Sequence, residues 1–336
     1  MSDLYPLKFE QVLKEKIWGG NALVTRYNKK QQGISASSNV GESWEISAVS
    51  DDQSVVANGF LAGNTIDELI EVYMGDITGD LVYEKFGNEF PLLIKFIEAR
   101  EDLSIQVHPG DALAKKRHSA YGKTEMWYIL ESEKGSGIYT GFRDGVTKEI
   151  YTDAIAGDKL PELLNFETAE AGDTFFTPAG RIHAIGAGTL LVEIQQTSDI
   201  TYRIFDWNRK SKEGEQRELH LDLALDAIDF RAIGNSKIKK QQETNVTEEL
   251  VRCEFFNANI LSFNKPVEKD YYLIDSFVIY ICLEGEFLIR WDNSSERVTK
   301  GETILLPAMI KEVILEPSGV SRLLEVYIGE NIQNAD

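Results

Sequence analysis

Short runs of β-branched and aromatic residues recur along most of the chain, each bounded by Gly, Pro, Asp or Asn. Runs of this kind predict strands over Pro91–Ala99, Leu103–Val107, Glu125–Leu130, Thr174–Thr177, Thr189–Ile194 and Thr201–Phe205, which points to a sandwich or barrel. Helical spacing is rarer. Ile66, Leu69, Ile70 and Tyr73 share one face of a helix over Thr65–Met74. Ala112–Arg117 is a second candidate, with Asp111 as its expected N-cap, and Thr147–Leu164 and Leu219–Ile228 are two more. Ile233–Glu249 is polar, nearly free of large apolar groups, and reads as a linker. The expected organisation is therefore a unit over residues 1–232, a linker over 233–249 and a second strand-rich unit over 250–336.

One octapeptide occurs in two versions. Gly172-Asp173-Thr174-Phe175-Phe176-Thr177-Pro178-Ala179 parallels Gly301-Glu302-Thr303-Ile304-Leu305-Leu306-Pro307-Ala308. Five residues past the proline, the first copy has His183 and the second Glu312. The match suggests duplication of a strand-rich unit. Phe277, Ile279 and Leu305 are the expected filling of the second unit, which has no histidine and is expected to bind no metal.

Composition narrows the function classes. The chain has 336 residues, 43% of them hydrophobic, and a formal net charge of −20. Such a field opposes nucleic acid and anionic membranes, and a phosphorylated substrate would need local Lys and Arg to overcome it. The longest strongly apolar run, Phe277 to Leu283, is too short to cross a bilayer, and the first twenty residues lack the apolar core of a signal peptide. The two cysteines, Cys253 and Cys282, have neither metal-binding nor disulfide spacing. A cytoplasmic protein is expected; nothing in the pattern sets an oligomeric state.

Chemistry concentrates in Ile105-Gln106-Val107-His108-Pro109. In an extended strand Gln106 and His108 point to one face, with apolar neighbours on either side. Only four histidines exist, at 108, 118, 183 and 220, so a metal site has few ways to be built. Glu125 shares a strand face with Trp127 and Ile129, and a carboxylate on an apolar face needs a partner. His118 and His220 lie in polar, charged stretches and are expected to be solvated, while Trp18 and Trp44 are expected to pack in core or loops.

The stretch Gly172-x5-Pro178-x-Gly180-x2-His183 resembles the second sequence motif of the cupin superfamily, small β-barrels that often hold a metal. Residues 91–109 (PLLIKFIEAREDLSIQVHP) resemble the signature of type I mannose-6-phosphate isomerases. So do Ile17-Trp18-Gly19-Gly20, Gly41-Glu42-Ser43-Trp44-Glu45, Lys123-Thr124-Glu125-Met126 and Thr201-Tyr202-Arg203-Ile204-Phe205-Asp206-Trp207. The resemblance implies a mainly β fold of two cupin-type jelly-roll barrels with a small helical elaboration, the second barrel degenerate. It implies one Zn2+ held by Gln106, His108, Glu125 and His183. Two imidazoles and a carboxylate suit zinc at about 2.0–2.2 Å with a position left for substrate.

The same resemblance places Lys95, eleven residues before Gln106, in the active site. Lys123 shares the face of Glu125, and Arg203 takes a catalytic or substrate-orienting role. Ser104, two residues before Gln106, is a candidate for binding phosphate, as are Lys95 and Lys123. The implied reaction interconverts mannose 6-phosphate and fructose 6-phosphate through an enediol(ate). The proton-shuttling base is left open among a lysine, a non-ligand carboxylate and metal-bound water. Two other classes stand beside this one: a cupin metalloenzyme of different chemistry, such as an oxygenase or another sugar-phosphate isomerase, and a non-catalytic sugar-binding cupin. Larger members of the family carry a helical insertion between the Glu ligand and the second His. The span from Glu125 to His183 is only 58 residues, which resembles the short bacterial form and leaves open which residues close over the substrate.

Overall fold

A computed structural model of the chain describes residues 4–210, 214–231, 236–240 and 242–329. The fold is mainly β, in four antiparallel sheets, two in each half. In the first half, a seven-stranded sheet runs in the order Val12–Gly20, Val40–Ile46, Leu92–Ala99, Thr189–Gln196, Glu125–Ser132, Thr174–Thr177, Lys237–Ile238. It faces a five-stranded sheet ordered Tyr202–Phe205, Ile105–Val107, His183–Ile185, Gly137–Phe142, Leu164–Thr168. The second half repeats the plan. Thr247–Arg252, Asn257–Phe263, Ser321–Tyr327, Val278–Glu284 and Thr303–Leu306 form one sheet, and Val267–Asp270, Glu312–Pro317, Glu286–Trp291 and Ser294–Thr299 the other. Among the described residues the strand pairings close none of these sheets on itself.

Alternation along the strands explains how the halves join. In Val278–Glu284, Val278, Tyr280 and Cys282 point into the second half's own core, while Ile279, Ile281 and Leu283 join a larger core shared with the first half. A strand buried on both faces reads as an unbroken apolar run, as this one does. The shared core takes Ile94, Phe96, Met126, Tyr128, Val192 and Ile194 from the back of the seven-stranded sheet. This corrects one expectation. Phe277, Ile279 and Leu305 face the first half; the interior of the second is filled by Tyr280, Cys282, Phe287, Ile304 and Leu306. Strand period 2 separates the two faces but does not say which one looks inward.

The predicted strands lie where expected, with ends shifted by a few residues. The helices differ more. Ile66–Tyr73 forms with a capping box in which Thr65 accepts from the Glu68 N–H and Glu68 from that of Thr65. Asp111 is the first helical residue rather than the N-cap; Gly110 is the cap, and Asp111 Oδ1 instead accepts from the Gly122 N–H and Gln196. The long helix expected over 147–164 is broken. Lys148–Ala156 is helical, Gly157 ends it, Leu160–Leu163 is a 3-10 turn with Pro161 near its start, and Leu164 begins a strand. Within the expected linker, residues 233–235 and 241 lie outside the described residues. Lys237–Ile238 adds to the edge of the seven-stranded sheet beside Thr174–Phe175, and Thr247 already begins a second-half strand.

Candidate metal centre

The site lies between the two sheets of the first half. A small apolar layer of Trp18, Ile97, Trp127, Ile129, Ile185 and Leu191 fills the space beside it. Gln106 and His183 are register partners on adjacent strands of the five-stranded sheet, so their side chains emerge together. Glu125 opens its strand on the facing sheet and is fully buried. His108, Glu125 and His183 bring one ligand atom each to within 4.8 Å of one another. Gln106 completes the group, its amide nitrogen 3.3 Å from both His108 Nε2 and His183 Nε2. An amide turned over presents its carbonyl oxygen at the same place.

The donors fit a cation. Nδ1 of His108 donates to the Ile200 carbonyl at 2.7 Å and Nδ1 of His183 to the Arg181 carbonyl at 2.8 Å. Each Nε2 lone pair is thereby turned toward the centre, as in metal-ligating histidines. Burial pushes His183 down to about 3 and, with Lys123 and His183 adding to it, holds His108 well below the usual imidazole range, so both rings are neutral. Glu125 Oε1 is buried without a hydrogen-bond partner, 3.2 Å from His183 Nε2. A carboxylate oxygen set against an imidazole lone pair asks for a positive charge between them.

Two lysines frame the donors. Lys123 Nζ donates to Glu125 Oε2 at 2.6 Å and lies 3.2 Å from His108 Nε2. Burial works against its charge, but Glu125 and Glu193 outweigh it and lift its pKa above the usual lysine range. Lys95 pairs with Glu193 Oε1 at 3.0 Å and donates to Gln195 Oε1 at 2.9 Å. Trp127 Nε1 donates to Glu193 Oε2 at 2.8 Å. Burial alone would raise the Glu193 carboxyl, yet Lys123 and Lys95 override it and hold it near 2, whereas burial carries Glu125 up to about 7 despite Lys123.

A cleft of about 320 Å3 opens from this centre. Five basic side chains line it, Lys16, Lys95, Lys123, Arg203 and Arg217, against the carboxylates Glu42, Glu193 and Asp199. In a chain of net charge −20 this local excess of positive charge is what an anionic ligand requires. Ser104 and Gln106 lie on its floor, with Ser104 Oγ donating to Gln106 Oε1 at 3.4 Å. Arg203 stands beside Gln106 in register, and its half-buried guanidinium donates from Nη1 to the Glu218 carbonyl at 2.9 Å.

All eight residues singled out in the sequence thus meet in one place. Several lining residues escaped it. Glu193 had a signal: it interrupts an apolar strand as Lys95 interrupts its neighbour, and the two are register partners. Lys16 and Glu42 come from the first two strands of the seven-stranded sheet and Asp199 and Arg217 from loops, and only tertiary structure gathers them. Trp18 and Trp44 are buried as expected; Trp44 Nε1 also donates to Glu42 at 2.7 Å, and Lys95 lies 5.1 Å from its ring centre. His118 is largely exposed but meets the Tyr202 hydroxyl at 2.7 Å. His220 departs from expectation: it is half-buried and bonded to Arg203.

Residues 6–138 match the family described as phosphomannose isomerase type I, catalytic domain. The chain is 36% identical over 315 residues to the mannose-6-phosphate isomerase ManA of Bacillus subtilis (strain 168), a match that covers 93% of this chain and 96% of that protein. It is 33% identical to the mannose-6-phosphate isomerase of Streptococcus mutans, across 91% of this chain and 93% of that one. The crystal structure of the mannose 6-phosphate isomerase from Bacillus subtilis superposes with a TM-score of 0.82 at 31% identity, covering 96% of this chain and 99% of the other. With a near full-length likeness in sequence and fold, and the motif residues gathered around one buried centre, the chain belongs to the type I phosphomannose isomerase family.

Proposed function

We propose that this isomerase interconverts D-mannose 6-phosphate and D-fructose 6-phosphate through an enediol(ate), with one zinc ion held by Gln106, His108, Glu125 and His183. The convergence of two neutral imidazoles and the unpartnered Glu125 Oε1 on one point, beside a basic cleft, carries the reading. A zinc ion bound there supplies Lewis acidity toward the oxygens on C1 and C2 of the sugar. The chain's own groups do the rest. Lys123, paired with Glu125, and Arg203, fixed beside Gln106, stabilise negative charge that grows on the reacting oxygens. Lys95, clamped by Glu193 and Gln195, stands at the cleft wall, and with Ser104 it receives the phosphate.

Each half is read as a cupin-type jelly roll: two facing sheets, and the repeated octapeptide opening on a glycine at φ 93° in one and 86° in the other. The catalytic unit extends through Lys237–Ile238, and the degenerate copy starts with the strand at Thr247. The two free thiols and a phosphorylated sugar substrate suit a cytoplasmic setting.

A coupled assay for fructose 6-phosphate, run before and after chelation, tests the reading. Turnover should vanish with the metal and return with zinc. Full turnover in demonstrably metal-free protein would sink the metal assignment, and absence of fructose 6-phosphate would sink the substrate.

A further inference from the structure

Arg203 lies on Tyr202–Phe205, the outermost strand of the five-stranded sheet. Its backbone N–H and C=O face away from the partner strand and would be left unpaired on an open edge. His220 takes the place of the missing strand. Its main-chain N–H donates to the Arg203 carbonyl at 2.7 Å, and its ring Nδ1 accepts from the Arg203 N–H at 3.1 Å. Two residues earlier, the Glu218 carbonyl accepts from Arg203 Nη1. The segment 218–220 therefore grips both the backbone and the guanidinium of one residue.

The grip is itself anchored. His220 caps the helix Leu221–Ala227, and its carbonyl accepts from the Ala224 N–H at 2.8 Å. Ala224 is fully buried against Val107, Ile182 and Ile204, so the helix cannot shift without disturbing that core. Arg117 ties the far end of the helix through the Leu223 carbonyl and Asp226. The arrangement demands one form of the ring: Nδ1 accepts only in the neutral tautomer that carries its proton on Nε2.

We infer that His220 is a positioning residue, which sets the Arg203 guanidinium at the cleft by holding its backbone through Nδ1. The inference rests on the reading of Arg203 as a charge stabiliser. His220 itself touches no ligand atom of the metal centre and is not among the residues that line the cleft.

Steady-state kinetics with mannose 6-phosphate on purified His220→Ala, His220→Asn, His220→Gln and Arg203→Ala, with metal content measured on each, test it. Arg203→Ala should lose turnover by roughly a hundredfold with metal retained, the scale of a lost charge stabiliser. His220→Ala should lose roughly tenfold in kcat, one hydrogen bond of about 1.4 kcal/mol, with KM and metal content little changed. The Asn oxygen can stand where Nδ1 does, so His220→Asn should recover most of the loss, while the longer Gln should not. In the Arg203→Ala background His220→Ala should cost nothing further, since a residue that acts through Arg203 has nothing left to position. Normal kcat in His220→Ala beside a crippled Arg203→Ala, or a His220→Asn no better than Ala, overturns the positioning role alone. Normal turnover in Arg203→Ala overturns the reading of Arg203 and this inference with it. Should His220→Ala fail to fold, the Asn and Gln pair decides by the same contrast.

Discussion

The two halves of the molecule share a buried rung and differ at the next one. In the first half, Lys95, Glu193, Trp127 and Phe175 lie side by side across four strands. In the second, Asn259, Glu325, Tyr280 and Ile304 occupy the same succession. The repeated octapeptide fixes the alignment, because Phe175 and Ile304 are its fourth residues. Both rungs centre on a carboxylate only 3% exposed. Glu193 is held by Lys95 and the Trp127 ring N–H; Glu325 accepts from Asn259 at 2.9 Å and from Tyr271 at 2.6 Å, and pairs with Lys269 at 2.7 Å. Two residues away the halves part. Glu125, beside Gln195 and Thr177, offers its carboxylate to the candidate metal centre; Val278, beside Tyr327 and Leu306, offers an apolar side chain. A buried, ion-paired carboxylate is thus common to both sandwiches, and the rung of candidate ligands distinguishes the first.

The sharpest break of this comparison is at the residues five past each repeated proline. His183 is buried at the centre, whereas Glu312 is exposed on its strand. His183→Ala should abolish metal retention and lower turnover by roughly a thousandfold or more, the several kcal/mol of charge stabilisation that a metal supplies. Glu312→Ala should leave both at wild-type levels. Elemental analysis beside the coupled assay reads the pair. Metal lost from the Glu312 variant, or kept at full occupancy in the His183 variant, would place the site elsewhere.

How much of this was legible in the sequence depends on what kind of signal each feature leaves. Gln106, His108, Glu125 and His183 were visible because polar residues on apolar strand faces are costly unless they are used. Lys95 and Arg203 were legible mainly through their motifs. The rest depended on pairing. Glu193 acquires its meaning only when register sets it against Lys95, and Glu325 only when Asn259 and Tyr271 reach it. His220 looked like a surface residue because its partner is a backbone amide seventeen positions away, and a side chain that serves a backbone group leaves no pattern in composition or period. The helix broken after Ala156 is a different case: apolar spacing runs on across Gly157 and Pro161, but the backbone of those two residues ends the helix.

If the shared rung is architectural in the second half, removing its charge should cost stability and nothing else. Glu325→Gln keeps the shape but leaves Lys269, mostly buried, without its counter-ion and weakens the bonds from Tyr271 and Asn259. About 2 kcal/mol of unfolding free energy should be lost, in the range of buried charged hydrogen bonds, with kcat and metal content unchanged. Urea unfolding and the coupled assay on one preparation measure both. A variant of wild-type stability would show the rung to be an idle likeness, and a large drop in kcat would show the second half to be coupled to the chemistry.

The smallest effect sharpens the comparison at the glycines that open the two octapeptides. Gly172 and Gly301 have φ of 93° and 86°, a region where a β-carbon is strained whatever surrounds it. Their surroundings differ. A β-carbon on Gly172 would meet only the Tyr128 hydroxyl, at 3.9 Å, whereas one on Gly301 would lie 3.1 Å from the Tyr27 carbonyl and 3.4 Å from its ring. Tyr27 belongs to the first half, so the second glycine also permits the close approach of the two units, where Lys29 reaches across to the Gly301 carbonyl. Alanine at either position should cost about 1 kcal/mol from backbone strain. Gly301→Ala should lose roughly 0.5 kcal/mol more as the Tyr27 carbonyl gives way. Urea midpoints of the two variants, measured side by side, decide it. If Gly172→Ala proves the more damaging, the contact at Tyr27 is easily relaxed and the two turns differ in backbone alone.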